Sequence, residues 1–269
     1  MQGAFDLNPE ANPFEPPRAD IEPLDITFGT DDVLEEPRTV PAGNGLDWIS
    51  DGWALYKRNI GLWILMLITS GAIFIVVSLI PLLGMLGGWL IPMFMGGWMI
   101  ASHRAHTEGE VRFEDLFAGF SQHFSPLAIA GLIYLGASVI VTIGAVILAA
   151  IFGGAAAFLI GGDGNAFFVV AIILGVLVGI AMLAPVMMLI WFAPALIVLN
   201  GVAPVQALKM SFFGCLRNIL PFLLYGLVAL LLLIVGAIPL GLGWLIVYPV
   251  LVCAVYAGYR DVFLEDGRE

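Results

Sequence analysis

The densest run of side chains able to do chemistry is Ser102-His-Arg-Ala-His-Thr-Glu-Gly-Glu110. His103 and His106 stand three apart, so a helix brings them to one face. With Glu108 or Glu110 they could hold a divalent metal through imidazole and carboxylate ligands. The same run also reads as a plain exit loop rich in His and Arg. That reading is preferred, so no metal and no cofactor are expected. His123 is expected to face lipid headgroups. Gly161-Gly-Asp-Gly-Asn165 has the glycines of a phosphate loop, but it lacks Lys, Ser and Thr, and no strand precedes it. It reads as a turn. Cys215 and Cys253 fit no metal spacing and no disulfide framework, and read as small packing residues. No nucleophile, base and orienting group gather on one leaflet, so an enzyme is not expected, nor is a nucleic-acid partner.

The elements that must position these residues follow from composition. The chain has 269 residues, of which 61% are hydrophobic and 12% charged, with mean hydropathy +1.02. A soluble domain carries about 25% charged residues. The apolar surplus requires lipid as solvent. Six apolar runs, roughly 60–80, 82–102, 126–150, 166–188, 219–237 and 240–258, each approach the ~20 residues of a spanning helix. The expected class is an all-α, polytopic membrane protein with six transmembrane helices over residues 45–263. Residues 166–199 hold no charge and as one helix would reach about 51 Å. Pro185 and Pro194 are expected to kink or end that helix.

Charge sets the expected topology. Arg18, Arg38, Lys57 and Arg58 precede the first run. Arg104 and Arg112 follow the second, Lys209 and Arg217 the fourth, and Arg260 and Arg268 the sixth. The other connections carry no Lys or Arg. Basic short loops stay in the cytoplasm, so both termini are expected inside the bacterial inner membrane. The opening residues have neither the basic start nor the apolar core of a cleaved signal, so the first span is expected to act as the insertion signal. Residues 1–44 hold ten acids, two arginines and seven prolines. Such a segment buries too little apolar surface to order itself and is expected to be a disordered tail, with residues 264–269 as a short C-terminal tail. Apolar residues between its acids make it a candidate docking motif for a basic partner.

Three short amphipathic stretches precede the three hairpins. Their expected apolar faces are Leu46, Ile49, Trp53 and Tyr56; then Phe113, Leu116, Phe117, Phe120 and Phe124; then Val205, Leu208, Phe212 and Leu216. Such helices lie in the interface plane. Asn44 and Asp47 read as a capping pair for the first. Arg58-Asn59 parallels Arg217-Asn218, Pro81 parallels Pro239, Trp89 and Pro92 parallel Trp244 and Pro249, and Arg104 parallels Arg260. The chain thus reads as three repeats, about 46–106, 111–200 and 203–260, related by an axis along the membrane normal.

Ala207-Leu-Lys-Met-Ser-Phe-Phe-Gly-Cys-Leu-Arg-Asn-Ile-Leu-Pro-Phe222, Gly241-Leu-Gly-Trp-Leu-Ile-Val-Tyr-Pro249 and Tyr256-Ala-Gly-Tyr-Arg-Asp-Val-Phe263 resemble an uncharacterised family of bacterial six-helix inner-membrane proteins. The architecture is also similar to the membrane domain of some glycerophosphodiester phosphodiesterases. The resemblance implies the six-helix plan and transfers no catalytic residue.

The runs contain no clear ionisable residue, which argues against proton coupling and intramembrane acid–base chemistry. Gly84-x-x-x-Gly88 and Gly175-x-x-x-Gly179 offer close helix contacts and a candidate homo-oligomer face. The expected function is a non-enzymatic scaffold, or a protein that binds membrane lipids or a partner. The alternative is a carrier or channel for a neutral solute or lipid.

Overall fold

The structure, a computed structural model of the chain, describes residues 33–34, 36–80, 87–160 and 164–265. Helices α1 (Asn44–Tyr56), α2 (Ile60–Ser78) and α3 (Gly87–Thr107) come first. A 3₁₀ turn, Phe113–Phe117, leads into the single turn α4 (Ala118–Ser121). Then follow α5 (Phe124–Ile160), α6 (Gly164–Ile190), α7 (Ala193–Asn200), α8 (Pro204–Arg217), α9 (Ile219–Ala237) and α10 (Trp244–Phe263). The described residues contain no strand, only one isolated bridge between Val33 and Leu264.

Five segments among the described residues are long and apolar enough to span a bilayer: Ile60–Ser78, Phe124–Phe152, Gly175–Asn200, Ile219–Ala237 and Trp244–Phe263. Their outer faces leave Ile75, Leu132, Ile140, Ile180 and Leu223 exposed, a surface that lipid covers. The expected second span, Leu82–Ser102, is not among the five. Residues 81–86, which hold the expected Pro81–Gly84 turn, lie outside the described residues. The remainder, α3, is diluted by glycines, tryptophans and the polar Ser102-His103-Arg104. Its Met93, Phe94, Trp98, Met99 and Ile100 are buried in protein, so its composition answers to neighbouring helices and not to lipid. The last span behaves similarly: 72% of the α10 window is buried, against 6% of the α5 window. Helices α3, α7 and α10 therefore form the inside, with α2, α5 and α9 outside.

The long uncharged stretch breaks where one of its prolines demands it. Pro185 is carried within α6, whereas Pro194 sits in the first turn of α7, after a break at Trp191-Phe192. Ser211 Oγ satisfies that break, donating to the Met188 carbonyl at 2.7 Å and accepting from Phe192 N–H at 2.9 Å. Gly201 (φ 65°) ends α7: its N–H donates to Ile197 O and Val202 N–H to Leu196 O, both at 3.1 Å. Leu240 and Gly241, with φ of 55° and 81°, form the turn of the last hairpin. The Gly161–Asn165 turn falls on residues 161–163, outside the described residues.

The first and third amphipathic segments form helices α1 and α8, and only part of each apolar set is buried in protein. In α1 the buried positions are Asn44, Gly45, Trp48, Gly52, Leu55 and Tyr56, while Leu46 and Trp53 are 46% and 44% exposed. In α8 they are Ala207, Leu208, Ser211, Gly214 and Cys215, with Val205 and Leu216 exposed. Close helix approach explains both. A β-carbon on Gly52 would lie 2.5 Å from the Val250 carbonyl oxygen of α10. Small residues admit the neighbouring helix beside the buried Trp48, Leu55, Tyr56 and Leu208, while Leu46, Trp53, Val205 and Leu216 face outward, as an interfacial helix requires. The second segment is the 3₁₀ turn plus α4 and not one regular helix, with Phe124 exposed. Its Asp115 is buried.

The capping expectation for α1 is also corrected. The N-cap is Gly43, and Asn44 Nδ2 instead donates to Asp261 Oδ2 at 2.8 Å. The expected tail boundary at residue 44 moves toward the N-terminus, because Leu34 N–H donates to Phe263 O at 2.9 Å and Arg38 N–H to Val262 O at 2.8 Å. Buried Asn218 completes the anchor: its Oδ1 accepts from Val40 N–H, and its Nδ2 donates to Arg38 O, both at 2.8 Å. Likewise Leu264 and Glu265 belong to the folded part; residues 1–32 and 266–269 lie outside the described residues.

Candidate functional site

The polar side chains converge on one end of the bundle. The last turn of α3 carries Arg104 inward. Its Nε meets Asp115 Oδ2 at 2.9 Å and its Nη2 meets Asp115 Oδ1 at 3.3 Å, with both residues 4% exposed. Its Nη1 contacts both Glu108 carboxylate oxygens at 3.1 Å. Burial raises the Asp115 carboxyl above its usual range, and the Arg104 guanidinium opposes that rise. Arg104 is thus a buried cation held in an ion pair.

Beside this pair, α3, α7 and α10 enclose a cleft of about 400 Å³ lined by His103, His106, Thr107, Asn200, Tyr256, Tyr259, Arg260 and Glu265, among others. Each helix delivers its residues for a local reason. The Gly201 stop makes Asn200 the last residue of α7. Tyr256, Tyr259 and Arg260 share one face of α10 through steps of three and four. His103 Nδ1 lies 2.9 Å from Tyr256 Oη, and His106 Nδ1 accepts from Arg260 Nη1 at 3.4 Å. Burial pushes His103 down to about 4, with His106 and Arg260 adding to the effect. Burial, Arg260 and Arg58 likewise lower His106. Both imidazoles are therefore neutral near neutrality. Tyr259 Oη donates to Asn200 Oδ1, leaving Asn200 Nδ2 buried without a hydrogen-bond partner among the described residues.

A second cleft, of about 450 Å³, lies across His106, Tyr256 and Arg260, walled by α1 through Asp47, Ser50 and Asp51 and by Arg58. Asp261 faces away from both clefts, accepting at Oδ2 from Asn44 Nδ2 and Trp48 Nε1, each at 2.8 Å.

The residues singled out from the sequence are only partly brought together. His103 and His106 share the cleft, but Glu108 turns to Arg104 and Arg112, and Glu110 to Arg112. Among the described residues no three His, Cys, Asp or Glu side chains are grouped to hold a metal. Arg58 donates to the Ala105 carbonyl at 2.6 Å, and Arg217 to Pro37 O at 3.1 Å and Glu36 Oε2 at 2.7 Å. Lys57 and Lys209 are exposed. Burial pushes the Cys215 thiol up to about 12, in keeping with an inert packing residue. Asn200, Tyr259 and Asp115 escaped the sequence reading as site residues. The signals were the Asn200-Gly201 helix stop and the Tyr256/Tyr259/Arg260 spacing.

Five apolar spans around a polar end define an integral, multi-pass membrane protein. A probable inner membrane protein of Burkholderia thailandensis is 29% identical to this chain over 250 residues, 83% of this chain and 92% of that protein. The location is thus the bacterial inner membrane. No family model matches the chain, and no solved structure matches it.

Proposed function

We propose that this inner-membrane protein is a non-enzymatic binding protein, holding lipid or a partner at its polar end. One observation carries the reading. The serines within the spans are committed to their own helices: Ser70 Oγ donates to Met66 O at 2.8 Å, Ser78 Oγ to Phe74 O at 2.7 Å and Ser138 Oγ to Tyr134 O at 2.8 Å. Groups spent this way do not line a path for protons or polar solutes. The chemistry lies at the end of the bundle, where lipid headgroups and soluble partners meet it.

The reading includes six spans in three repeats, with α3 as the second crossing and both termini in the cytoplasm. It is supported by the matched roles of the outer and inner helices in the first and third hairpins. The likeness to the phosphodiesterase membrane domain rests on this plan alone and supplies no reaction. The acidic tail is a second arm, for a basic partner. Gly175 does not serve a dimer face in this reading, since a β-carbon there would lie 2.9 Å from Ala149 Cβ of α5. The carrier alternative has one observation in its favour, an apolar cleft of about 480 Å³ between α5 and α6 lined by Ala145, Ala149 and Val176 among others. Its lining suits a lipid chain better than a neutral polar solute.

Purification into detergent followed by mass spectrometry tests the reading. Stoichiometric phospholipid is expected to stay bound through extensive washing. A lipid-free preparation that drives solute uptake on a proton gradient after reconstitution would contradict it.

A further inference from the structure

Three helix C-termini face the cleft between α3, α7 and α10, and unsatisfied carbonyls there would repel an anion. Several of those carbonyls are already occupied. Arg58 Nη1 takes Ala105 O of α3 at 2.6 Å. Arg38 Nη2 takes the carbonyls of Leu264 and Glu265, beyond α10, at 2.7 and 2.8 Å. Gly201 and Val202 N–H take Ile197 O and Leu196 O of α7. Two guanidinium groups and a helix-stop motif thus offset part of the negative ends.

What remains facing the cleft is rich in donors. Arg260 contributes a guanidinium. His106 accepts at Nδ1 from Arg260, so its neutral ring carries the proton on Nε2, a donor. Asn200 is 1% exposed, and its Nδ2 has no partner among the described residues. A buried amide donor without a partner costs about 1–3 kcal/mol, a cost that a ligand accepting its hydrogen bond removes. Among the described residues Glu265 is the single carboxylate in the lining, and it is exposed. Asp47 and Asp51 lie in the other cleft, across Arg260.

We propose that this cleft binds a phosphate-bearing anion, through Arg260, Asn200 Nδ2 and His106 Nε2. Charge-assisted bonds from guanidinium to phosphate are the strongest neutral-pH contacts these side chains offer. A cleft of about 400 Å³ holds more than the phosphate alone, so a phospholipid headgroup fits as well as free phosphate. The proposal rests on the binding reading above and assigns it a site.

The full chain in a phosphate-free maltoside detergent allows the test, by calorimetric titration with inorganic phosphate, dihexanoyl phosphatidylglycerol or dihexanoylglycerol. The phosphatidylglycerol is expected to bind and the phosphate-free diacylglycerol not to. Asn200→Asp keeps the acceptor for Tyr259 and turns the free donor into a carboxylate; Arg260→Gln removes the charge. Each is expected to weaken binding about tenfold or more. Binding of inorganic phosphate as well would make the phosphate sufficient, whereas binding of the lipid alone would identify a membrane lipid as the source. If neither phosphate compound binds the wild type, or folded Arg260→Gln binds like the wild type, the site is overturned. If washed variants retain as much native phospholipid as the wild type, this cleft fails while the lipid-binding reading survives.

Discussion

Replacing Arg104 with Met is expected to destabilise the protein by about 3–5 kcal/mol, because it strands a buried carboxylate. Asp115 is 4% exposed and takes two guanidinium contacts from Arg104, at 2.9 and 3.3 Å. Neighbouring elements leave little room for relaxation, since a β-carbon on Gly97 of α3 would collide with the Leu116 carbonyl. The pH dependence has a definite sign. Burial raises the Asp115 carboxyl and Arg104 opposes it. A carboxyl with a raised folded-state value contributes stability that is present below its unfolded value and lost as pH rises through the folded one. Removing Arg104 removes the opposition and raises that value further. The penalty of Arg104→Met should therefore be largest near neutrality and shrink as pH falls toward about 4. The double variant Arg104→Met/Asp115→Leu should recover most of the loss, as apolar pairs of similar volume replace buried ion pairs well. Thermal unfolding in detergent reads all three effects. An Arg104→Met protein that melts with the wild type at pH 7 would show that the pair is not a structural tie.

The second large effect is expected at Asp261. Its Oδ2 accepts from Asn44 Nδ2 and Trp48 Nε1, both buried and both on α1. Asp261→Leu strands the two donors at about 1–3 kcal/mol each. The loss should localise to α1, because Gly52 already presses that helix to backbone contact with Val250 and leaves no slack for repair. Limited proteolysis between α1 and α2, at Lys57 or Arg58, should accelerate well before the bundle melts. Equal cleavage rates in variant and wild type would count against Asp261 as the anchor.

Much of this architecture was legible from hydropathy alone, because a span facing lipid on most sides must be apolar on most sides. Helices α2, α5, α6 and α9 were readable for that reason. The inner helices were harder to read. Helix α3 is wrapped by protein and is free to carry glycine, tryptophan and a charged last turn, so its composition falls short of a lipid-facing span. The apolar pattern of the amphipathic segments did not by itself separate the residues that pack on protein from those that face outward. In α1 and α8 the buried side mixes large and small residues, and Gly45, Gly52, Ala207 and Gly214 admit a neighbouring helix beside Trp48, Tyr56 and Leu208. The site was half visible. His103 and His106 stand out in the sequence, but Asn200 and Tyr259 come from other helices, and only the fold brings them to the same cleft. The acidic tail shows the same limit: composition marks it as unstructured, yet Asn218 and the C-terminal end of α10 capture residues from Val33 onward.

A polar end whose cleft faces the cytoplasm is tested most directly by a thiol introduced at Thr107. Thr107 is exposed at the cleft, while Cys215 and Cys253 are buried and contribute little background. A membrane-impermeant maleimide should label Thr107→Cys in inside-out vesicles and leave it untouched in intact spheroplasts. Labelling in intact spheroplasts would place the cleft on the outer face and contradict the topology.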